Sequence, residues 1–593
     1  MALKRPSLGN MSSVDLEDEE CTDVQLALAD CLWTTARDGA VRLRMEETGI
    51  AAEPPITTLQ LFQRTVQLCG NKPALATKRG GQWETTTYLQ YYQQCRAAAK
   101  SFLLLGLEPF HGVGILGFNS AEWFIADIGA IMAGGLAVGI YATSSPEACQ
   151  YVAANCEANV LVVENHQQLV KILEIEDQLP HLKAIVQYHD ELNEERAGLY
   201  TWKDFMELGT GVPDSKLDNI IASRKANQCC TLIYTSGTTG RPKGVMLSHD
   251  NITWVTKAFG ESLNLTDNEV TVSYLPLSHV AAQILDIWIP ICFGGTTYFA
   301  NPDALKGTLV STLQEVRPTT FFGVPRVWEK IQEKMKDMGS KSSFIKQKIS
   351  SWAKKIGLGA NYNRMNGCGR CLVGCMIRIH QPQEDGAGEI CYWGRHVFMG
   401  YLNMPEMTME ALDEEGWLHS GDLGKLDQDG FLYVTGRIKE LVITAGGENV
   451  PPVPIEDALK EELPIISNAM LVGDQRKFLS MLLTLKCTVD VDTGEPQDDL
   501  TAEAIQFCQQ LGSSATRVSE VIGTKDPAIY EVIQEAMDRV NQKALSNAQK
   551  VQKWAILGKD FSIAGGELGP TLKLKRPVVL SMYEKVIDGF YVS

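Results

Sequence analysis

Between Thr231 and Gly244 the chain reads Thr-Leu-Ile-Tyr-Thr-Ser-Gly-Thr-Thr-Gly-Arg-Pro-Lys-Gly, a short apolar run followed by a loop of Gly, Ser and Thr closed by Arg241-Pro242-Lys243. The chemistry on offer is anion binding. Gly237 and Gly240 let backbone N–H groups come close to a phosphate, the hydroxyls of Thr235, Ser236, Thr238 and Thr239 donate further hydrogen bonds, and Lys243 adds a point charge. No Ser or Thr follows a Gly-Lys pair, so this is not the common phosphate loop of nucleotide triphosphatases. By composition alone, a hydroxyl-rich surface turn is an equally good reading.

Four further strings follow in order: Tyr274-Leu-Pro-Leu-Ser-His279, Trp417-Leu-His-Ser-Gly-Asp-Leu423, Gly436-Arg-Ile-Lys-Glu440 and Gly446-Gly-Glu-Asn-Val-Pro-Pro452. With the loop they resemble the signature of the adenylate-forming superfamily, which includes acyl-CoA synthetases, luciferases and the adenylation domains of peptide synthetases. The wording is most similar to the bubblegum-type long-chain acyl-CoA synthetases. That resemblance implies that residues 235–243 hold ATP, Pro242 among them, while Asp422 accepts hydrogen bonds from the ribose hydroxyls and Arg437 contacts the nucleotide from the other side. It implies Lys439 as a hinge, Gly446, Gly447 and Glu448 as the loop of the coenzyme A step, and Lys550 as a further nucleotide contact. Lys573 aligns with the catalytic lysine, with Lys575 the alternative, and His279 falls beside the reacting carboxylate, where we read it as positioning substrate. Taken without the resemblance, a His at a strand end is a satisfied structural residue, an Asp after Gly a turn former, and surface lysines solvated charges. Four residues after His279, where some relatives place an aromatic gate to the fatty-acid tunnel, stands Gln283.

The implied reaction has two halves: a long-chain fatty acid attacks the α-phosphorus of ATP with Mg2+, and coenzyme A then takes the acyl group from the adenylate. Two other readings stand beside it. One is an acyl- or nucleotide-binding relative without activity; the other is an adenylating enzyme with a different acceptor, disfavoured because no carrier-type domain follows residue 593.

The elements that must position these residues follow from length and pattern. At 593 residues the chain exceeds one core, and 45% hydrophobic with 21% charged residues is ordinary for a globular protein. A formal charge of −18 gives nucleic acid no electrostatic footing, so an anionic substrate depends on local cations. Fifteen cysteines without a regular framework point to reduced thiols, and Cys368, Cys371 and Cys375 lack the second pair of a metal knuckle. The expected location is cytoplasmic, with at most peripheral contact to intracellular membranes and no protein partner. The apolar region Val113–Ala142 is interrupted by Asn119, Glu122 and Asp127 and reads as a buried strand, helix and strand.

The expected fold is α/β. Residues 1–50 form a poorly ordered lead-in, and 51–436 form an adenylation domain of mostly parallel sheets with a small β-rich subdomain between Gly388 and Leu402. A smaller, mobile α+β lid occupies 437–593. The basic run Lys330–Lys355 reads as a helical, solvated face. One departure matters. Between Pro325 and Gly388 the resembled family carries a Ser/Gly-Ala-Pro turn and a Tyr-Gly-x-Ser/Thr-Glu string that holds adenine and supplies a glutamate to Mg2+; neither occurs anywhere in this sequence. Asn361-Tyr-Asn-Arg-Met-Asn-Gly367 runs straight into Cys368-Gly-Arg-Cys-Leu-Val-Gly374. An internal block that includes sheet strands is therefore missing near 367, and the metal ligands stay unassigned.

Overall fold

The computed structural model describes residues 26–592 except 194, 236–241, 305–306, 325–326, 329–330, 333–334, 336–338, 340–345, 347, 351–352, 355–368, 385, 446–448, 491–492, 545 and 570–571. Much of the basic run Lys330–Lys355 falls outside the described residues.

Strands β1 (Pro73–Arg79), β2 (Gln82–Thr87), β3 (Gly112–Leu116), β4 (Leu136–Ile140), β5 (Val160–Val163), β6 (Ala184–Gln187), β7 (Leu199–Thr201), β8 (Cys229–Thr235), β9 (Lys243–Ser248), β10 (Val270–Ser273) and β11 (Thr296–Phe299) precede the break near 367. After it come β12 (Met376–His380), β13 (Gly388–Trp393), β14 (Gly400–Tyr401), β15 (Leu418–Leu426) and β16 (Leu432–Arg437). An eight-stranded sheet runs β14-β9-β8-β4-β3-β5-β6-β7. Every residue of β3, β4 and β5 is buried, which a parallel sheet covered on both faces requires. The helix Ala121–Met132 covers one face and is itself packed by Tyr88–Leu104 so closely that a Cβ on Gly129 would lie 2.9 Å from that of Ala98. The apolar region Val113–Ala142 is thus strand, helix and strand, as its interruptions require.

Beyond β8 the sheet changes sense. β9 folds back antiparallel, Thr235 opposite Lys243, and β14 pairs with β9. The β-rich subdomain, β12-β13-β15-β16, is antiparallel, but Gly400–Tyr401 leaves it for the large sheet, because Met399 and Leu402 donate to the carbonyls of Met246 and Gly244 on the open side of β9.

A second sheet runs β10-β11-β1-β2, and among the described residues no strand pairs with the outer side of β10. The segment after β11 meets β10 at its start, where the N–H groups of Thr319 and Thr320 reach the Val270 carbonyl at 3.0 and 3.3 Å and the Thr319 hydroxyl accepts the Val270 N–H at 2.8 Å, and just beyond its end, where the Tyr274 hydroxyl donates to the Phe322 carbonyl at 2.8 Å. Phe322 and Trp328 beside it are 41% and 49% exposed.

Helix His249–Ser262 starts at a Ser248/Asn251 capping box, and Asp250 in its first turn is buried against Arg395, the carboxylate 2.5 Å from the guanidinium. Arg395 also donates to the carbonyls of Ala51 and Glu53. One guanidinium therefore joins the stretch at Ala51–Glu53, this helix and the segment that follows β13.

The C-terminal part contains β17 (Val442–Ile443), β18 (Asn449–Val450), β19 (Ile466–Val472), β20 (Leu479–Leu485), β21 (Cys487–Val489), β22 (Pro496–Leu500) and β23 (Val551–Ile556), with β19-β20-β23 its central sheet. Among the described residues its cores draw only on residues after 441, and those of the preceding sheets only on residues up to 418. No described helix is long and apolar enough to cross a membrane.

Candidate functional site

The hydroxyl-rich loop after Thr235 closes the β8–β9 hairpin at the C-terminal ends of the parallel strands, where open α/β sheets gather ligands. Ser236, Gly237, Thr238, Thr239, Gly240 and Arg241 lie outside the described residues; Thr235 ends β8, Pro242 comes after the loop and Lys243 begins β9. The Lys243 ammonium stands 4.7 Å from the centre of the Tyr401 ring. Partial burial and then the nearby charge of Lys439 hold its pKa below the usual lysine range, against the opposing charge of Glu410. The expected hinge residue therefore brings a second positive charge to this end of the sheet.

Strand β4 delivers the next group. A Cβ on Gly139 would lie 2.7 Å from Ser278 Cα, so only glycine lets the Tyr274–His279 turn settle against the strand end. His279 caps the short helix Val280–Ala282, its Nδ1 accepting the Ala281 N–H at 3.2 Å. Burial first, and then the charge of Lys573, push the ring's pKa down. A neutral ring that accepts at Nδ1 carries its proton on Nε2, which suits hydrogen bonding to a carboxylate better than accepting a proton. Gln283 is buried and donates to the Leu277 carbonyl at 2.9 Å, so the gate position is an amide tied back to the same turn. It opens a π-helical turn, Gln283–Trp288. Beside that turn lies an apolar pocket lined by Phe259, Leu265, Leu285, Ile289, Phe293 and Phe322, with Glu269 and Thr271 also on its wall. Sequence reasoning does not find this pocket, because its walls come from segments more than 60 residues apart.

Lys573 comes from the C-terminal part. Leu568 bridges Leu574, the Gly569 N–H donates to the Lys573 carbonyl at 2.7 Å, and Leu572 takes a left-handed φ of 61°, so Lys573 stands on a tight hairpin. Arg576 anchors that hairpin by donating to both oxygens of the buried Glu456 at 2.7 and 2.6 Å, and its Nε lies 3.8 Å from Glu440 beside the hinge. Lys575 folds back over Gly569. Of these two lysines, Lys573 is the one whose charge acts on His279.

Asp422 does not sit in a turn. It lies within β15, opposite Arg437 of β16, because Gly421, with φ 71°, bends the strand without ending its pairing. Arg437 Nε donates to Asp422 Oδ1 at 2.8 Å, so the two residues expected on either side of a nucleotide meet directly. The sequence does not signal Glu389, which receives the Gly421 N–H at 2.9 Å on one oxygen and lies 2.7 Å from His419 Nδ1 through the other. It fixes the backbone that carries Asp422, and only strand register reveals it. Lys550 precedes β23, is exposed and donates to Asn547 at 2.8 Å; no described contact joins it to the other groups. Gly446, Gly447 and Glu448 lie outside the described residues, between the paired strands β17 and β18. The described cysteines are free thiols, Cys375 lying 3.1 Å from His396 Nδ1.

A family model described as AMP-binding enzyme matches residues 62–362, and one described as AMP-binding enzyme C-terminal domain matches 439–524. The chain is 58% identical to long-chain-fatty-acid–CoA ligase ACSBG2 of Xenopus laevis, over 99% of this chain and 91% of the relative. It is 57% identical to ACSBG2 of Gallus gallus, over 95% and 85%. The alignment with the Xenopus protein runs for 671 positions against 593 residues here, so that relative carries positions this chain lacks. In fold the chain is similar to the adenylation domain of a carboxylate reductase from Mycobacterium chelonae, with a TM-score of 0.71 at 19% identity over 92% of each chain.

Proposed function

Because the chain belongs to the AMP-binding enzymes and, within them, to the bubblegum-type long-chain acyl-CoA synthetases, we propose that the groups at the β8–β9 end of the large sheet carry the two half-reactions of a long-chain fatty acid–CoA ligase. The observation that carries this reading is the charge of Lys573, from the C-terminal part, acting on His279 of the large part. Two groups far apart in sequence thus lie near enough for the charge of one to bear on the other, which supports this reading.

In the first half-reaction a carboxylate oxygen bonds to the α-phosphorus of ATP and the bond to pyrophosphate breaks. Anion meets anion, so the barrier falls only if positive charge and oriented donors are already in place. Lys573 and Lys243 supply charge, the 235–243 loop supplies donors, and the Nε2–H of His279 orients the carboxylate while its chain enters the apolar pocket. Asp422 holds the ribose, released in part from Arg437, with Lys550 a peripheral contact. In the second half-reaction the coenzyme A thiol sulfur bonds to the acyl carbon, AMP leaves, and the thiol proton passes to solvent. Rotation at Lys439, the boundary between 51–436 and 437–593, withdraws Lys573 and brings Gly446–Glu448 to the thiol path. Free thiols support a cytoplasmic setting, with any membrane contact peripheral.

Mg2+ enters with ATP as substrate. Near the reaction groups Asp422, among the described residues, is paired with Arg437, and the string expected to bring a metal carboxylate does not occur in the sequence. We further infer that this chain performs the first half-reaction weakly. The family match ending at 362, the longer alignment and the lack, among the described residues, of a strand paired to the outer side of β10 support a missing block. A thioester assay with ATP, coenzyme A and fatty acids of graded length tests the reading. Acyl-CoA from long-chain acids, stronger once a relative's block is restored near Gly367, is expected; an acylated product formed without coenzyme A would overturn it.

A further inference from the structure

At the other end of the eight-stranded sheet, away from the reaction site, a second cluster of chemistry-bearing side chains stands where parallel strands begin. His111 immediately precedes β3, Glu157 precedes β5 and His181 precedes β6, while Glu108 lies one turn before His111. Because β3, β5 and β6 are parallel neighbours, residues remote in sequence converge there. His111 Nε2 is 3.6 Å from Glu108 Oε2 and 3.7 Å from Glu157 Oε2, and His181 Nε2 is 3.9 Å from that same oxygen. Ligands about 2.1 Å from a tetrahedral ion stand roughly 3.4 Å from one another, so His111, Glu157 and His181, whose ligand atoms all lie within 4.8 Å of one another, need only contract, while the half-exposed Glu108 side chain swings in beside His111 to complete the set.

The tautomer also fits. His111 is buried, and its Nδ1 lies 3.0 Å from the main-chain carbonyl of Glu157. That nitrogen must carry the proton, which leaves the lone pair of Nε2 facing the cluster, the arrangement that holds a histidine for a metal. Two cations flank the carboxylates: Arg37 pairs with Glu157 Oε2 and Lys183 donates to Glu108 Oε1 at 2.6 Å. Lys183 bonds Glu108 through Oε1 and leaves Oε2 available, whereas Arg37 shares Glu157 Oε2, so an ion there must compete with Arg37 for that oxygen.

We propose that Glu108, His111, Glu157 and His181 bind a divalent transition ion of the zinc class. Two imidazoles and two carboxylates suit such an ion, and four protein ligands make a closed, structural site. The ion clips the loops that start β3, β5 and β6 and plays no part in acyl transfer.

The full chain, freed of metal by chelation and dialysis, is titrated with ZnCl2 by calorimetry while its melting temperature is followed; Co2+ reports tetrahedral nitrogen and oxygen coordination by its visible absorption. One saturable equivalent and a higher melting temperature are expected. His181→Ala should abolish both, and Glu108→Gln should weaken binding about tenfold or more. The His181 and Glu108 side chains are 46% and 50% exposed, so neither change empties the core, and circular dichroism verifies the fold. Saturable binding that survives His181→Ala, or that is lost instead with His419→Ala in the Glu389–Cys391–His419 cluster, overturns the proposal. So does the absence of saturable binding.

Discussion

The eight-stranded sheet carries β9 and β14 beyond β8 on the side that bears the phosphate loop, whereas the four-stranded sheet beside it stops at β10 with Phe322 and Trp328 half exposed. The strands at the centre of the first are wholly buried while those of the second are only partly so, and both lead into the candidate site: the first gives Lys243, the second leads from β10 into the His279 turn and the apolar pocket. The difference lies in the chain that comes next in each. After β8 the chain turns back at once and pairs; after β10 and β11 the next pairing partner should come from the stretch that this sequence lacks. On the proposed reading, the groups expected for ribose and carboxylate stand on these two sheets and the β-rich subdomain, and the string expected for adenine and metal does not occur in the sequence. An incomplete site on an otherwise coherent frame is what such a pair of sheets implies.

That contrast depends on the chain after the break being firmly docked, and Arg395 tests the docking with the largest expected effect. Arg395→Ala leaves the Asp250 carboxylate buried without its partner and should cost about 3–5 kcal/mol in urea unfolding. A loss under about 1 kcal/mol would mean that the segment around β13 is not welded to helix His249–Ser262, and the comparison would fail.

Lys573→Ala addresses the complete side. In a block-restored chain, pyrophosphate exchange should fall about 10²–10³-fold while thioester formation from supplied acyl-adenylate is kept. Equal loss in both would make Lys573 a support for its hairpin and Lys575 the candidate catalyst.

Acid probes the seam between the regions. Burial, with the nearby Arg44 charge, pushes His396 down to about 4, and burial, with Arg224, pushes His249 down to about 3. The unfolded chain, with histidines near pH 6.5, binds more protons, so this stability is fully present above that pH and lost as pH falls toward 4. The stability gap between the protein and His396→Gln should shift by on the order of 2–3 kcal/mol between pH 7 and 4.5. A gap that stays constant over that range would show that His396 is not held neutral in the fold.

The smallest effect is expected in the pocket. Leu285→Trp should slow thioester formation from long-chain acids about tenfold relative to shorter ones, since bulk there shortens the space for the acyl chain. Equal slowing for all lengths would remove the pocket from the acyl path.

How much of this was legible in the sequence depends on how local each cause is. Val113–Ala142 announced strand, helix and strand, because burial on both faces leaves continuous apolar runs. Lys243 was legible as a candidate phosphate group because its loop is contiguous in sequence. The escape of Gly400–Tyr401 to the large sheet was not, since it answers to the open edge of β9 more than 150 residues earlier. Nor was the place of Asp422 within a strand, because Gly-Asp favours a turn until a partner strand supplies Arg437 opposite. Glu389, the pocket and the His111 cluster depend on register or parallel neighbours, which one-dimensional patterns do not carry. The proposal of a missing block, by contrast, came from sequence alone, from two strings that never occur.

The central claim is that this chain keeps the frame of an acyl-CoA synthetase but lacks the part that secures ATP. ATP–pyrophosphate exchange tests it most directly, measured on the 593-residue chain and on the same chain with a relative's block inserted after Gly367. Insertion is expected to raise exchange by about 100-fold or more. Comparable rates from the two proteins would contradict it, and would mean that another carboxylate already holds the metal.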